Sequence, residues 1–252
     1  MKNSGSLHSR SGIGRNDGEA PQLKVPYLPK LHIERAALGL LIAYRRDFPE
    51  APTLPVPAED IVECHLDLSL RFDNLQAQSR DSQVLGATWV RDNLVIIDAS
   101  LDPDENPGKE GRCRFTVAHE CGHWILHRQQ LLQATCAPLF DSLTAPSIIC
   151  RKNQKNDPIE WQANYFAACL LMPEDTVREQ WKDLRGGPEA YLAIGEIRDL
   201  AQRYGIGEDD TPTVEVARQM AKRFEVSAQA MQIRLIEIGL IVTEKRGPSL
   251  FD

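Results

Sequence analysis

The segment at residues 115–127, FTVAHECGHWILH, constrains the fold of this chain more than any other segment does. It contains His119 and His123, which stand four positions apart, so on an α-helix both imidazoles point the same way. Apolar residues surround them on nearly every side of that helix, which predicts that the helix is buried. Burying a histidine or glutamate that has no binding partner is energetically costly. We therefore expect His119, Glu120 and His123 to share a partner inside the protein.

The H-E-x-x-H pattern of this segment is typical of catalytic zinc sites. Imidazole nitrogens bind zinc at about 2.0–2.1 Å, and two of them on one helix face can reach the same ion. Glu120 lies about 100° around the helix from His119, so it borders the ion without having to bind it. A carboxylate there can take a proton from water, as hydrolysis requires. The pattern also occurs by chance, with ordinary hydrogen-bonded histidines, but the apolar surroundings favour the metal.

Catalytic zinc usually has three protein ligands, and two residues are candidates for the third. His127 continues the stripe of the two histidines, but it lies about 6 Å further along the axis and is better explained as a supporting or core residue. Glu160 opens a second helical segment, where it also resembles the last residue of a capping box that only satisfies the helix start. We favour Glu160 as a ligand, with Asn164 binding the other nitrogen of a ligand histidine.

Composition restricts the remaining classes of function. The 252 residues carry a formal net charge of −7, which argues against a protein that holds nucleic acid by a general positive field. Six cysteines without a C-x-x-C pair, and no apolar N-terminal stretch typical of a signal peptide, predict reduced thiols and a cytoplasmic protein. No run approaches the roughly 18 apolar residues of a membrane span, so we expect no membrane partner.

Apolar periodicity and the positions of proline predict the helices and loops. Residues 1–30 have little periodic apolar content, so we expect a disordered tail there. Residues 128–157 are also poorly periodic and predict a long loop. Helices are expected over residues 31–48, from about 58, over the H-E-x-x-H segment, over 157–172, near 174–184 and over 188–204.

Three runs rich in β-branched residues predict short strands. They are LDLSLRF at 66–72, VLGATWV at 84–90 and NLVIIDASL at 93–101. The polar RDN at 91–93 predicts a hairpin turn between the last two runs. We expect the three strands to pair in an antiparallel manner.

Residues 211–240 predict two short helices joined by a tight turn, a pair that resembles a helix-turn-helix. Thr211 and Ser227 are the expected N-caps, and Gly239 follows the second helix. Across 212–246, six lysines and arginines exceed four glutamates by only two charges. Such a weak positive field favours helical packing or a protein partner over direct contact with DNA.

Two quoted motifs together carry a resemblance to a known family. RFTVAHECGHWILH, followed by EWQANYFAACLLMP, resembles the ImmA/IrrE metallopeptidase family, also called the domain of unknown function 955 group. The resemblance covers about residues 31–173. It implies that His119, His123 and Glu160 bind zinc and that Glu120 acts as general base.

One position departs from the pattern of that family. Many members have a second glutamate where this chain has Gln162. The first glutamate of the motif and its asparagine are retained, so the departure does not affect the expected ligands.

The resemblance implies an α+β fold. We expect a zincin-like metallopeptidase domain over residues 31–184, with a small antiparallel sheet and the H-E-x-x-H helix. A helical C-terminal region over 185–252, with the helix-turn-helix-like pair at 211–240, follows it. The tail over 1–30 precedes both.

The resemblance also implies a zinc-dependent endopeptidase. Similar proteins cleave helix-turn-helix repressors and so switch on stress or mobile-element genes, which makes such a repressor the expected partner. A substrate would lie extended beside an edge strand of the sheet. The alternatives are a non-proteolytic, zinc-containing DNA-binding regulator or toxin–antitoxin component, and a structural zinc protein. A structural site usually uses cysteines, whereas Cys113 and Cys121 lie off the histidine stripe.

Overall fold

The computed structural model of the chain describes residues 25–79, 84–135, 148–151, 157–205 and 211–243. Its helices are α1 (Lys30–Asp47), α2 (Ala58–Asp60), α3 (Leu75–Ser79), α4 (Glu110–Thr135), α5 (Pro158–Leu171), α6 (Glu174–Arg185), α7 (Ile194–Tyr204), α8 (Glu215–Phe224) and α9 (Ala228–Glu237). Its strands are β1 (Ser69–Asp73), β2 (Val84–Trp89), β3 (Leu94–Asp98), β4 (Ile148–Arg151), β5 (Tyr191–Leu192) and β6 (Ile241–Val242). The fold is helix-rich α+β with a small sheet.

The four-stranded sheet has the order β1-β3-β2-β4. The predicted hairpin of β2 and β3 is confirmed, and its turn ends at Asn93 with a φ of 49°, a conformation that asparagine tolerates. The antiparallel prediction is wrong for β1, which pairs with β3 in parallel, Ser69 opposite Leu94. Alternation within a strand does not specify its neighbour, and β1 meets β3 instead of the nearer β2.

The predicted loop at 128–157 contains regular structure at both ends. Helix α4 continues to Thr135, and the side chain of Leu131 in its last turns is buried. The loop prediction is therefore wrong for residues 128–135. It is also wrong for Ile148–Arg151, which forms β4 at the edge of the sheet against β2. Pairing with the backbone of β2 stabilises this strand, which local apolar periodicity did not predict. Residues 136–147 and 152–156 lie outside the described residues.

The C-terminal helix pair forms with one of its two predicted caps. Ser227 caps α9 by accepting a 3.1 Å hydrogen bond from the N–H of Ala230, as predicted. Thr211 does not cap α8, which begins after Val214. The N–H of Val214 instead donates to the side chain of Gln232 at 2.7 Å, so a contact between the two helices replaces the local cap. Gly239 follows α9 with a φ of 75°.

Two further expectations are refined by pairing and by position. The helix expected from residue 188 begins at Ile194, because Tyr191–Leu192 pairs with Ile241–Val242. Of the expected tail, residues 1–24 lie outside the described residues, and 25–29 form neither helix nor strand.

One hydrophobic core joins helices α1, α5 and α6 to the C-terminal helices α8 and α9. Its buried members include Leu41, Phe166, Trp181, Phe224 and Leu235. The division at residue 184 stays a prediction. None of the helices within the described ranges is both long and apolar enough to cross a membrane.

Candidate metal centre

Helices α4 and α5 lie against each other at a point where α4 has a glycine. A Cβ atom on Gly122 would lie 3.1 Å from the backbone oxygen of Ala163 and 3.1 Å from the ring of Phe166. Both neighbours belong to α5, so the missing side chain permits the two helices to approach closely. This approach carries Glu160, in the first turn of α5, to the face of α4 that holds the two histidines.

Two imidazoles and one carboxylate meet between these helices. Glu160 Oε2 lies 3.2 Å from Nε2 of His119, and Glu160 Oε1 lies 3.3 Å from Nε2 of His123. The two Nε2 atoms are 2.9 Å apart. The candidate ligand atoms of all three residues lie within 4.8 Å of one another, and each residue is at most 2% exposed. The structure therefore brings together the three residues that the sequence nominated as ligands.

The donor set fits a metal ion. Atoms bound to one tetrahedral ion at about 2.0–2.1 Å lie about 3.3 Å from each other, close to the separations observed. The side-chain oxygen of Asn164, at 3.0 Å, accepts the proton of Nδ1 of His119, which leaves its Nε2 as a lone pair. A lone pair facing a carboxylate in a buried space is unfavourable unless a cation lies between them.

Burial and neighbouring groups set the charges at the centre. Burial lowers the pKa of His123 to about 4, so this imidazole is neutral at pH 7, as a ligand must be. Burial alone would raise the pKa of Glu160, but the imidazoles of His119 and His123 beside it lower the pKa to about 2. Glu160 is therefore a carboxylate at neutral pH.

Glu120 borders the three residues and has one free oxygen. Its Oε2 accepts a 2.6 Å hydrogen bond from Oγ1 of Thr88 on β2, whereas its buried Oε1 has no hydrogen-bond partner within the described residues. Burial raises the pKa of Glu120 to about 7, although the nearby imidazole of His119 and the hydrogen bond from Thr88 oppose the rise. Gly86 makes room for this carboxylate, since a Cβ there would lie 2.6 Å from Oε1.

Sequence reasoning missed two residues of the centre. Thr88 gave no signal beyond being a hydroxyl residue in a predicted strand, because its partner is remote in the chain. Gln162 was noted only as a departure, yet its Oε1 lies 3.2 Å from Nε2 of His127. His127 stands outside the group of three, as expected, and its Nδ1 lies 3.2 Å from Nδ1 of His123.

The buried thiols take no part in the group of three candidate ligands. Cys113 and Cys121 are buried, and burial raises the pKa of each thiol to about 12. Neither belongs to the cluster of side chains that could hold a metal ion within the described parts of the chain. This donor set differs from the cysteine-rich sets of structural zinc sites.

Comparison with known proteins agrees with this chemistry. Residues 105–236, slightly more than half of the chain, match the IrrE N-terminal-like domain of the peptidase family M78. This chain belongs to that family. The match includes every residue of the group of three, together with Glu120 and Asn164.

One curated protein and one solved structure show different degrees of similarity to this M78 family member. Over 152 residues it is 26% identical to the radiation response metalloprotease IrrE of Deinococcus radiodurans, covering 60% of this chain and 33% of that protein. A solved Mycobacterium tuberculosis transcriptional regulator aligns at 15% identity with a TM-score of 0.36, covering 82% of this chain and 52% of the regulator. The chain thus spans about a third of its curated relative.

Proposed function

We propose that this chain is a zinc-dependent endopeptidase of the zincin type. The observation that carries the proposal is the convergence of His119, His123 and Glu160 on one buried point beside the free carboxylate oxygen of Glu120. Two imidazoles and a carboxylate form a donor set typical of catalytic zinc, which keeps one position open. Membership of a peptidase family supports the same conclusion.

The residues around the proposed ligands have separate roles in hydrolysis. When bound, zinc lowers the pKa of water and polarises the scissile carbonyl. Glu120 accepts a proton of the attacking water at Oε1 and returns it to the leaving nitrogen. Thr88 holds the other oxygen of Glu120 in place. With a pKa near 7, Glu120 can serve both as acceptor and as donor at neutral pH.

The substrate that we propose is a helix-turn-helix repressor in the cytoplasm. A stretch of it would lie extended along β4, the edge strand on the side of the sheet where Glu120 lies. Gly86 of β2 pairs with Cys150 of β4, and Gly86 is also the residue against which Glu120 packs. A peptide added to β4 would therefore be one strand away from the proposed base.

Cleavage of a candidate repressor tests the proposal. The purified 252-residue chain is incubated with zinc and with repressors encoded in its genomic neighbourhood, and the products are resolved by mass spectrometry. We expect one discrete pair of fragments. The Glu120→Gln variant should bind zinc as the unaltered chain does and should not produce the pair. Equal cleavage by this variant would remove Glu120 from the mechanism.

Direct binding of DNA finds less support in the helix pair α8–α9. The second helix of such a pair is the one that enters the major groove. Arg234 is the only cation in α9, and it is 1% exposed, donating to the backbone oxygen of Met172 at 3.1 Å and pairing with Glu34 at 3.0 Å. We therefore propose that α9 serves packing or a protein partner. A non-proteolytic regulator or toxin–antitoxin component would keep its activity in the Glu120→Gln variant.

A further inference from the structure

A chain of hydrogen bonds runs from His123 to the backbone of the N-terminal segment. Nδ1 of His123 lies 3.2 Å from Nδ1 of His127, and Nε2 of His127 lies 3.2 Å from Oε1 of Gln162. Nε2 of Gln162 then donates to the backbone oxygen of Pro26 at 3.1 Å. Both His127 and Gln162 are at most 1% exposed. Four residues from three separate parts of the chain are thus joined in series.

The last acceptor in this series, the backbone oxygen of Pro26, sets the donor and the acceptor of every hydrogen bond in it. A backbone oxygen only accepts, so the amide nitrogen of Gln162 must face Pro26, and its Oε1 must face His127. Oε1 also only accepts, so Nε2 of His127 carries a proton and, in the neutral ring, Nδ1 is a lone pair. That lone pair accepts from Nδ1–H of His123. Neutral His123 is left with a bare Nε2, directed at Glu160.

The opposite orientation of the amide is unfavourable. It would turn Oε1 of Gln162 toward the backbone oxygen of Pro26, so that two acceptors would face each other. An unsatisfied buried polar group costs about 1–3 kcal/mol. The N-terminal segment is itself held nearby, because Tyr27 stacks on Trp161 with ring centroids 6.5 Å apart. The backbone oxygen of Pro26 is therefore held in place, where it can accept the hydrogen bond that orients the series.

We infer that Gln162 is a positioning residue for the metal centre, which acts through His127 to hold His123 in the tautomer that presents Nε2 to a metal ion. This inference rests on the proposed metal site but not on peptidase activity. The two histidine ligands then differ in how they are held. Nδ1 of His119 donates to Asn164, which is exposed, whereas Nδ1 of His123 donates to a series of two buried residues.

Two substitutions at residue 162 separate this role from simple packing. Gln162→Met keeps the length of the side chain and removes the acceptor for His127. Gln162→Glu keeps an acceptor for Nε2–H of His127 but cannot donate to Pro26. Glutamate should therefore retain the orientation of the histidines, and methionine should lose it.

Metal affinity is the measurement that tests whether Gln162 has this positioning role. Zn²⁺ is titrated into the 252-residue chain in competition with a chromophoric chelator. Loss of a group that orients a ligand histidine weakens affinity by about 10- to 100-fold, and we expect this for Gln162→Met. Gln162→Glu should stay within about threefold of the unaltered chain, since a carboxylate accepts at least as strongly as an amide. Co²⁺ spectra of the same variants report any change of the ligand field.

A matched control removes a buried glutamine elsewhere. Gln232 is 4% exposed, and it likewise joins two groups, accepting from the N–H of Val214 and donating to the backbone oxygen of Pro212. Gln232→Met should lower the melting temperature as Gln162→Met does, without changing metal affinity. In a His127→Phe background, Gln162→Met should have no further effect on affinity.

A measurement on the unaltered chain covers the case in which Gln162→Met fails to fold. Long-range ¹H–¹⁵N NMR of the histidine rings should show Nε2–H in His127 and Nδ1–H in His123. The opposite tautomer of His127 overturns the inference, as does unchanged affinity in Gln162→Met or equal weakening in Gln162→Glu. If no metal binds to the unaltered chain, the inference and the proposed function both fail. If affinity follows the series but no substrate is cleaved, the proposed function alone fails.

Discussion

Thr88 Oγ1 donates a 2.6 Å hydrogen bond to Oε2 of Glu120, and this bond joins the sheet to the helix that carries both histidines. Both residues are completely buried. The bond leaves Oε1 of Glu120 as the oxygen that can exchange a proton with a substrate. The orientation of the proposed base therefore depends on a strand that is distant from it in the sequence.

Replacing Thr88 by valine should shift the pH dependence of cleavage. Burial raises the pKa of Glu120, and Thr88 is one of the groups that oppose the rise. Without it the pKa rises further, so the base is protonated at higher pH and activity is lost from the acid side. A hydrogen bond to a charged group contributes about 1.5–3 kcal/mol, which corresponds to about one to two pH units. The measurement is kcat/KM against pH.

Thr88→Ser is the control for this shift, because serine keeps the donor and removes only a methyl group. Its acid limb should coincide with that of the unaltered chain. If the acid limb of the Thr88→Val variant coincided with that of the unaltered chain, Thr88 would not influence the ionisation of Glu120.

Gly86→Ala should impair cleavage while metal affinity is retained. The added Cβ would lie 2.6 Å from Oε1 of Glu120, too close for the carboxylate to keep its position. None of the three proposed ligands lies on β2, so zinc affinity measured by chelator competition should stay the same. Since general base catalysis contributes about 10²–10⁴-fold, a misplaced base should reduce kcat by at least about tenfold. Parallel loss of zinc would instead indicate damage to the whole centre.

Gly122→Ala should weaken both the fold and the metal site. The new Cβ would press on the backbone of Ala163 in α5, which cannot yield as a flexible side chain would, and overpacking of this kind costs about 1–3 kcal/mol. Separation of α5 from α4 would also draw Glu160 away from the histidines. Urea unfolding and zinc competition measure the two effects.

Gly39→Ala provides the matched comparison in helix α1. A Cβ at Gly39 would meet nothing within 4 Å, so alanine should stabilise the helix by about 0.5–1 kcal/mol. If both alanine variants had the same effect on stability, close contact at Gly122 would not be the reason for its glycine.

Removal of metal by a chelator should lower the melting temperature. In the metal-free protein the carboxylate of Glu160 faces two imidazole nitrogens with no cation between them, which is unfavourable in a buried space. A metal present at 100 times its dissociation constant contributes about 2.7 kcal/mol to the free energy of unfolding. Differential scanning fluorimetry with and without chelator measures the change. The Glu160→Gln variant should respond much less, and a chelator without effect on the unaltered chain would argue against a resident metal.

Much of the candidate site could be predicted from short stretches of sequence. The four-residue spacing of His119 and His123 places both on one face of any helix, and Asp157 caps α5 by accepting from the N–H of Ile159 at 3.1 Å. The turn before Asn93 followed in the same way from local residue types. Each of these features depends on residues within one or two turns of each other.

The features that could not be predicted depend on partners far apart in the chain. Parallel pairing of β1 with β3, the edge strand β4 and the hydrogen bond from Thr88 to Glu120 each need the packed core before the two sides can meet. By itself the sequence determined which side chains share a helix face, because helical geometry repeats every 3.6 residues. The tertiary structure decided which atoms of those side chains are bonded, because burial leaves each polar group only the partners that packing brings within reach.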